Sequence, residues 1–176
     1  TTSVGSGNST SYKVNVSAST GQYVTIGTRQ YIIAHVDTNN VYVALRYHEE
    51  NTAFGSNSTY AGSTIASKCT TWYNSNVPSG WKNASAFNSV STEGVSAQCF
   101  IPTYSQVDGG WTYFNSSSRR IFYNSSNTAQ TWWTASAGSS SRVWRVYSDG
   151  NLYNNGNPSD TAGSRPCLAI KRSLFS

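Results

Sequence analysis

His48-Glu49-Glu50 is the densest group of titratable side chains in this 176-residue chain, with His35 and Asp37 a short way upstream. Imidazoles beside carboxylates are the raw material of a metal site or of general acid/base catalysis. The segment from Arg46 to Tyr60 that carries the group is turn-like, and it lacks the i, i+4 helical placement of histidines in a metalloprotease. A solvated loop is therefore expected there. Acyl transfer needs a nucleophile beside a base, and glycoside hydrolysis needs two carboxylates across a cleft. This chain has seven acids, two histidines and no Gly-x-Ser-x-Gly elbow. Cys69, Cys99 and Cys167 show neither CxxC spacing nor histidine clustering, so they read as buried free thiols rather than ligands, one bridge among them staying open. The expectation is a protein with no catalysis, no metal and no cofactor.

The residue types point instead to binding. Charged residues are only 11% of the chain while aromatics reach 14%, so Ser, Thr, Asn and Gly must cover most of the surface. Tyr and Trp give rigid contact area and Ser, Gly and Asn adapt around it, the division of labour found in antibody binding loops. The net charge of +5 comes from twelve Lys and Arg scattered along the chain, apart from the pairs Arg119-Arg120 and Lys171-Arg172. Scatter argues against a nucleic-acid footprint, which clusters on one stripe. No apolar run approaches the ~18 residues of a membrane span, so no membrane insertion is expected.

The elements that must position such a surface can be taken in order. Residues 1–20 read as a linker or N-terminal arm, rich in Ser, Thr and Gly, in which Tyr12-Lys13-Val14-Asn15-Val16 alternates like an edge strand. Residues 21–172 read as a single domain and 173–176 as a tail. Tyr23 to Ile26, Tyr31 to Val36 and Val41 to Leu45 are strand patterns separated by turn sequences, which predicts a β-meander. Ser63 to Asn74 is the best helix, with Ile65, Cys69, Trp72 and Tyr73 on one face and a stop at Val77-Pro78-Ser79-Gly80. Trp81, Ala84, Phe87 and Val90, three apart, suggest a second helix from Trp81 to Val90. Val95 to Ile101 reads as a strand, followed by a short helix or loop at Pro102 to Val107.

The C-terminal unit from Thr131 to Lys171 is the most distinctive part. Trp132-Trp133 are expected in the core. Arg142 to Tyr147 is rich in β-branched and aromatic residues, Ser148-Asp149-Gly150-Asn151 is a hairpin turn, and Leu152-Tyr153 begins the return strand. Asn154 to Ser164 carries almost no apolar side chains and reads as a solvated loop, and Pro166 to Ile170 as a buried closing strand. The expected ligand-binding surface is Arg142, Trp144, Arg145, Tyr147, Asn151, Tyr153, Asn155, Asn157, Asp160 and Arg165. The aromatics would stack on sugar faces or fill protein pockets, Asn and Asp would hydrogen-bond, and Arg would meet carboxylate or phosphate. Arg165 fits a structural anchor equally well.

Trp132-Trp133-Thr134-Ala135-Ser136, Gly138 to Ser141, Val146 to Gly150 and Gly163 to Leu168, in that order, resemble the signature of a domain family of unknown function from Gram-positive bacteria and their phages. Tyr23 to Gly27 and Thr71 to Asn74 extend the likeness more loosely, to residues 22–171. Ala135 stands where the family usually has Arg, and Ser164 where it has an aliphatic residue. The C-terminal half of that family is similar to C-type-lectin-like folds, including phage receptor-binding tip proteins. The resemblance implies an α+β, C-type-lectin-like fold of antiparallel sheets flanked by one or two helices. It further implies a receptor-binding or adhesion module on a virion surface, or on a bacterial cell surface. Its partners would be a host glycan or protein, other virion proteins, and copies of itself in a homo-oligomer, a trimer on a fibre. A purely structural virion protein, a capsid decoration or fibre knob, is the alternative.

Overall fold

The computed structural model describes residues 2–3 and 17–175. The alternating segment at Tyr12 to Val16 and most of the N-terminal arm lie outside these residues. The rest is mixed α+β, built mainly from antiparallel sheets with few helices.

The expected meander is present as Tyr23–Ile26, Arg29–Val36 and Asn40–Leu45, joined by antiparallel pairing. Thr2–Ser3, two residues of the expected linker, pair in parallel with its outer strand. The closing strand, Cys167–Lys171, does not sit at an edge. It lies between Asn40–Leu45 on one side and Phe87–Asn88 and Cys99–Phe100 on the other. That central place explains its composition, because a strand covered on both faces carries a continuous apolar run. Cys167, Leu168, Ala169 and Ile170 are all fully buried.

The helix Thr64–Asn76 starts where Ser63 Oγ accepts from the Ala66 backbone N–H at 3.2 Å, an N-cap that satisfies one otherwise unpaired donor. It buries Ile65, Cys69 and Trp72, and the Trp72 indole N–H donates to the buried Tyr31 hydroxyl at 3.0 Å, tying helix to sheet. Burial pushes the Tyr31 phenol well above its ordinary range. The second helix is much shorter than its periodicity predicts, covering only Ser79–Asn83. Ser85 then takes a left-handed φ of 53°, and Phe87–Asn88 forms a strand against Ala169 and Ile170. The three-residue spacing is real in sequence, but the long-range pairing wins over the weak local preference of a Ser- and Asn-rich segment. Val95 to Ile101 likewise divides. Val95–Ala97 forms a hairpin with Val90–Thr92, and Cys99–Phe100 joins the main sheet.

The C-terminal unit forms a second sheet in the order Leu152–Gly156, Val143–Val146, Trp132–Ala137, Thr161–Gly163, Asn51–Ala53. The solvated loop expected at Asn154 to Ser164 is corrected here. Its start extends the return strand and its end is a short interior strand, with Ala162, Gly163 and Ser164 buried. Small side chains make this possible, since a Cβ on Gly163 would lie 2.8 Å from the His48 ring and 3.2 Å from Trp132. A low count of apolar side chains therefore marked close backbone approach as well as solvent exposure.

All three cysteines are buried free thiols. Burial and the neighbouring Cys69 raise the Cys99 thiol, and burial raises Cys167. Because the thiolate is the reactive form, native protein should react with a thiol-specific chromogenic disulfide far more slowly than denatured protein, in which all three should titrate. Stoichiometric reaction under native conditions would contradict this placement.

Candidate functional site

The hairpin of Val143–Val146 and Leu152–Gly156 sits at the edge of the second sheet and carries most of the expected binding residues. Its turn is built by residues with specific conformational duties. Gly150 has φ of 82°, and a Cβ there would overlap the Ser117 carbonyl oxygen. Asp149 Oδ1 accepts from the Asn151 backbone N–H at 2.9 Å, and Oδ2 accepts from the Asn151 side-chain amide at 2.9 Å. These hydrogen bonds hold the exposed Asp149 carboxyl below its ordinary range. Asn151 is thus committed to the turn.

Behind the turn, five predicted residues meet in one network. Tyr147 and Tyr153 bring their rings together at 4.2 Å between centroids, Tyr153 being one of the three most exposed large aromatic side chains among the described residues. The Tyr147 hydroxyl donates to Asn155 Oδ1 at 3.2 Å and accepts from Arg145 Nη2 at 3.3 Å. Arg145 Nη1 lies 3.8 Å from Asp160 Oδ2, and its guanidinium is over the rings of Trp133 and Tyr147, 5.4 Å from each. The pair with Asp160 is loose and half in solvent, so its contribution is small; the Arg145 stem and ring contacts do more to hold the side chain. Gly156 makes room for this, because a Cβ there would come within 2.7 Å of Arg145 Nε. The result is a prearranged patch of two phenol rings, a guanidinium, an amide and a carboxylate. Such a set can stack on a flat apolar face and exchange hydrogen bonds around its rim, but it contains no nucleophile paired with a base.

The other predicted residues lie elsewhere. Trp144 leaves the patch and stacks on Tyr104 at 4.1 Å, forming a separate aromatic platform. Tyr104 had no signal of its own in the sequence beyond being an aromatic in a polar segment; Asp108, accepting from its hydroxyl, raises the phenol. Arg142 is exposed, and its guanidinium donates to the neighbouring Ser141 carbonyl at 3.3 Å. Asn157 is occupied by Ser159, whose backbone N–H and hydroxyl both donate to its Oδ1. Arg165 takes the anchor position rather than a place on the surface. Only 1% exposed, it is held inside the domain with Nε donating to the Leu45 carbonyl at 3.0 Å and its guanidinium against Phe122, Trp132 and Phe114. It does not join the hairpin surface, because the loop that carries it is pulled into the interior with Thr161–Gly163.

The titratable cluster also disperses. His48 Nε2 shares a hydrogen bond with Asn51 Oδ1 at 2.8 Å, Glu49 pairs with Arg29 at 2.7 Å, and Glu50 with Lys68 at 2.6 Å. His35 is beside Thr112, and Asp37 accepts from the backbone of Asn39 and Asn40 in a turn. Among the described residues no three His, Cys, Asp or Glu side chains stand together as metal ligands. No helix of these residues is long and apolar enough to cross a membrane.

With the Trp132-Trp133 strand, the hairpin and the buried Gly163-Ser164-Arg165-Pro166 segment placed, comparison with known families becomes informative. The family described as "Domain of unknown function (DUF6273)" matches residues 28–172. The chain belongs to the DUF6273 family. The match takes in Arg29–Val36 and Asn40–Leu45 of the meander, the long helix and the whole C-terminal unit, and leaves Tyr23–Ile26 just outside the DUF6273 domain. No curated protein and no solved structure matches the chain.

Proposed function

We propose that this DUF6273 domain is a non-catalytic receptor-binding or adhesion module, displayed on a virion surface and folded in the C-type-lectin-like manner. It engages a host-surface glycan or protein through the Tyr147–Tyr153 hairpin. The observation that carries this reading is the network of Arg145, Tyr147, Tyr153, Asn155 and Asp160, held at a sheet edge and braced by the buried Trp133. A rigid scaffold presenting aromatic faces and adaptable polar groups meets the requirements of recognition without chemistry. The low-charge, Ser- and Asn-rich composition suits a particle surface. Display on a fibre in a homo-oligomer, a trimer, would multiply a weak contact into firm adsorption.

The test uses the purified domain on host cells. Wild-type protein should adsorb, and Tyr147→Ala with Tyr153→Ala should reduce affinity by roughly thirtyfold, equivalent to about 2 kcal/mol at an interface anchor. Thermal stability should fall only modestly, because Tyr153 is exposed and Tyr147 is half-buried with its hydroxyl bonded at the surface. Full adsorption by the double variant would remove the hairpin from the reading. A second reading, a capsid decoration or fibre knob, draws on the strand Leu152–Gly156, the outermost of its sheet among the described residues, whose edge can pair with a neighbouring subunit. In that case the domain should bind particles lacking it rather than cells, and its loss should lower particle stability.

A further inference from the structure

Among the described residues the buried guanidinium of Arg165 has no acidic partner. Each of the seven acids is engaged elsewhere: Asp37 and Asp149 in their own turns, Glu49 and Glu50 with Arg29 and Lys68, Glu93 with Ser136, Asp108 with Tyr104 and Asp160 with Arg145. Three aromatic rings and one carbonyl offset part of the cost of burying this charge, but Nη1 finds no hydrogen-bond partner among the described residues. A buried, unpaired donor on a cation is expensive, and a water, an ion or a ligand opposite it would supply the missing acceptor. Burial draws the guanidinium down to about 10, which leaves it charged at neutral pH.

Arg165 also lines a cavity of about 240 Å³, walled by Tyr23, Tyr47, Tyr113 and Tyr123 and flanked by Arg46. Tyr47 and Tyr123 are each 38% exposed and stand at the mouth, whereas Arg165 at 1% lies at the base. These two complete, with Tyr153, the three most exposed large aromatic side chains among the described residues, so two of the three rim one opening. Arg46 is fixed by Gln30 at 2.6 Å and by the faces of Tyr23 and Tyr47 at 3.8 and 4.7 Å. It adds a second positive charge at a set position.

We infer that this cavity binds a carboxylated sugar, with the carboxylate on Arg165 and the ring between the tyrosines. Since Nε of Arg165 is committed to Leu45, the two terminal nitrogens are the donors left over, and a planar carboxylate matches their spacing. Tyrosine faces suit the C–H face of a pyranose, and Ser118 and Asn127, also in the lining, suit its hydroxyls. The site shares no residue with the Tyr147–Tyr153 patch, so it stands whether or not that patch binds a receptor.

Calorimetric titration of the whole chain with glucuronate, galacturonate and N-acetylneuraminate tests this. At least one should bind saturably and raise the melting temperature, and glucose should bind at least about tenfold more weakly, because it lacks the charge that meets Arg165. Arg165→Gln should abolish the preference for the acid. Should that variant fail to fold, Tyr47→Ala with Tyr123→Ala, both at the exposed rim, should lower acid-sugar affinity about tenfold while leaving the fold intact. Absence of saturable binding by all three acids would overturn the inference, as would equal affinity for glucose, unchanged affinity in the rim double variant, or tighter binding of a dipeptide carboxy-terminus than of any sugar.

Discussion

Trp133→Ala should destabilise the domain by about 3–5 kcal/mol, the range for removing a large aromatic from a packed core. Its indole is fully buried, meets Phe54 edge-on at 5.6 Å and donates to the Thr52 carbonyl at 2.9 Å. Alanine would leave both a void and a buried carbonyl without its donor, and the second loss adds to the first. Against the usual 5–15 kcal/mol of total stability this is a large fraction. The consequence reaches the surface, since the Arg145 guanidinium rests on this ring. Urea unfolding should show the midpoint falling sharply, and under the proposed function adsorption to cells should fall with it even below the new unfolding transition. Trp133→Phe, which keeps most of the ring, should lose much less. A cost under about 1 kcal/mol for the alanine variant would show that the C-terminal sheet does not depend on this packing.

Gly150→Ala should have the second largest effect, by a different route. The left-handed φ of 82° alone costs a non-glycine residue about 1–3 kcal/mol. The added methyl would also overlap the Ser117 carbonyl oxygen, a backbone atom that cannot turn aside as a flexible side chain could. The short helix Ser117–Arg120 must then move, and with it the hydrogen bond from Arg120 Nε to the Gly150 carbonyl at 2.8 Å. Arg120 also donates to Phe114, and its carbonyl accepts from Trp132, so the disturbance runs toward the core. Amide hydrogen exchange should rise across residues 117–122 and 147–153 in this variant, with a lower unfolding midpoint. Unchanged exchange in both segments would mean that turn and helix are independent. Gly150→Asn separates the two causes, because asparagine tolerates the left-handed region but still carries a Cβ. It should be nearly as destabilising as alanine if the overlap dominates.

Much of the architecture was legible in the residues themselves. Alternating β-branched and aromatic residues marked the meander, and the spacing of Ile65, Cys69 and Trp72 with Ser63 before it marked the long helix. Asp149-Gly150 marked the hairpin. These are local signals, carried by the period of one element or the conformational needs of one turn, so sequence determines them directly.

Only the folded chain decided how those elements share their surfaces. Phe87 leaves a helical spacing for a strand because Ile170 offers it a backbone partner, an option 83 residues away that no local pattern records. The Thr161–Gly163 segment is interior because glycine and serine can pass close to His48 and Trp132, although the same composition reads as loop. For the same reason the ten expected binding residues divide. Five converge on one patch, Trp144 turns to Tyr104, Asn151 and Asn157 bond within their own turns, Arg142 stays exposed beside Ser141, and Arg165 is drawn into an aromatic cage. Residue type announces what a side chain can do, but its neighbours come from long-range pairing and packing, and those settle whether it faces solvent, a cavity or the core.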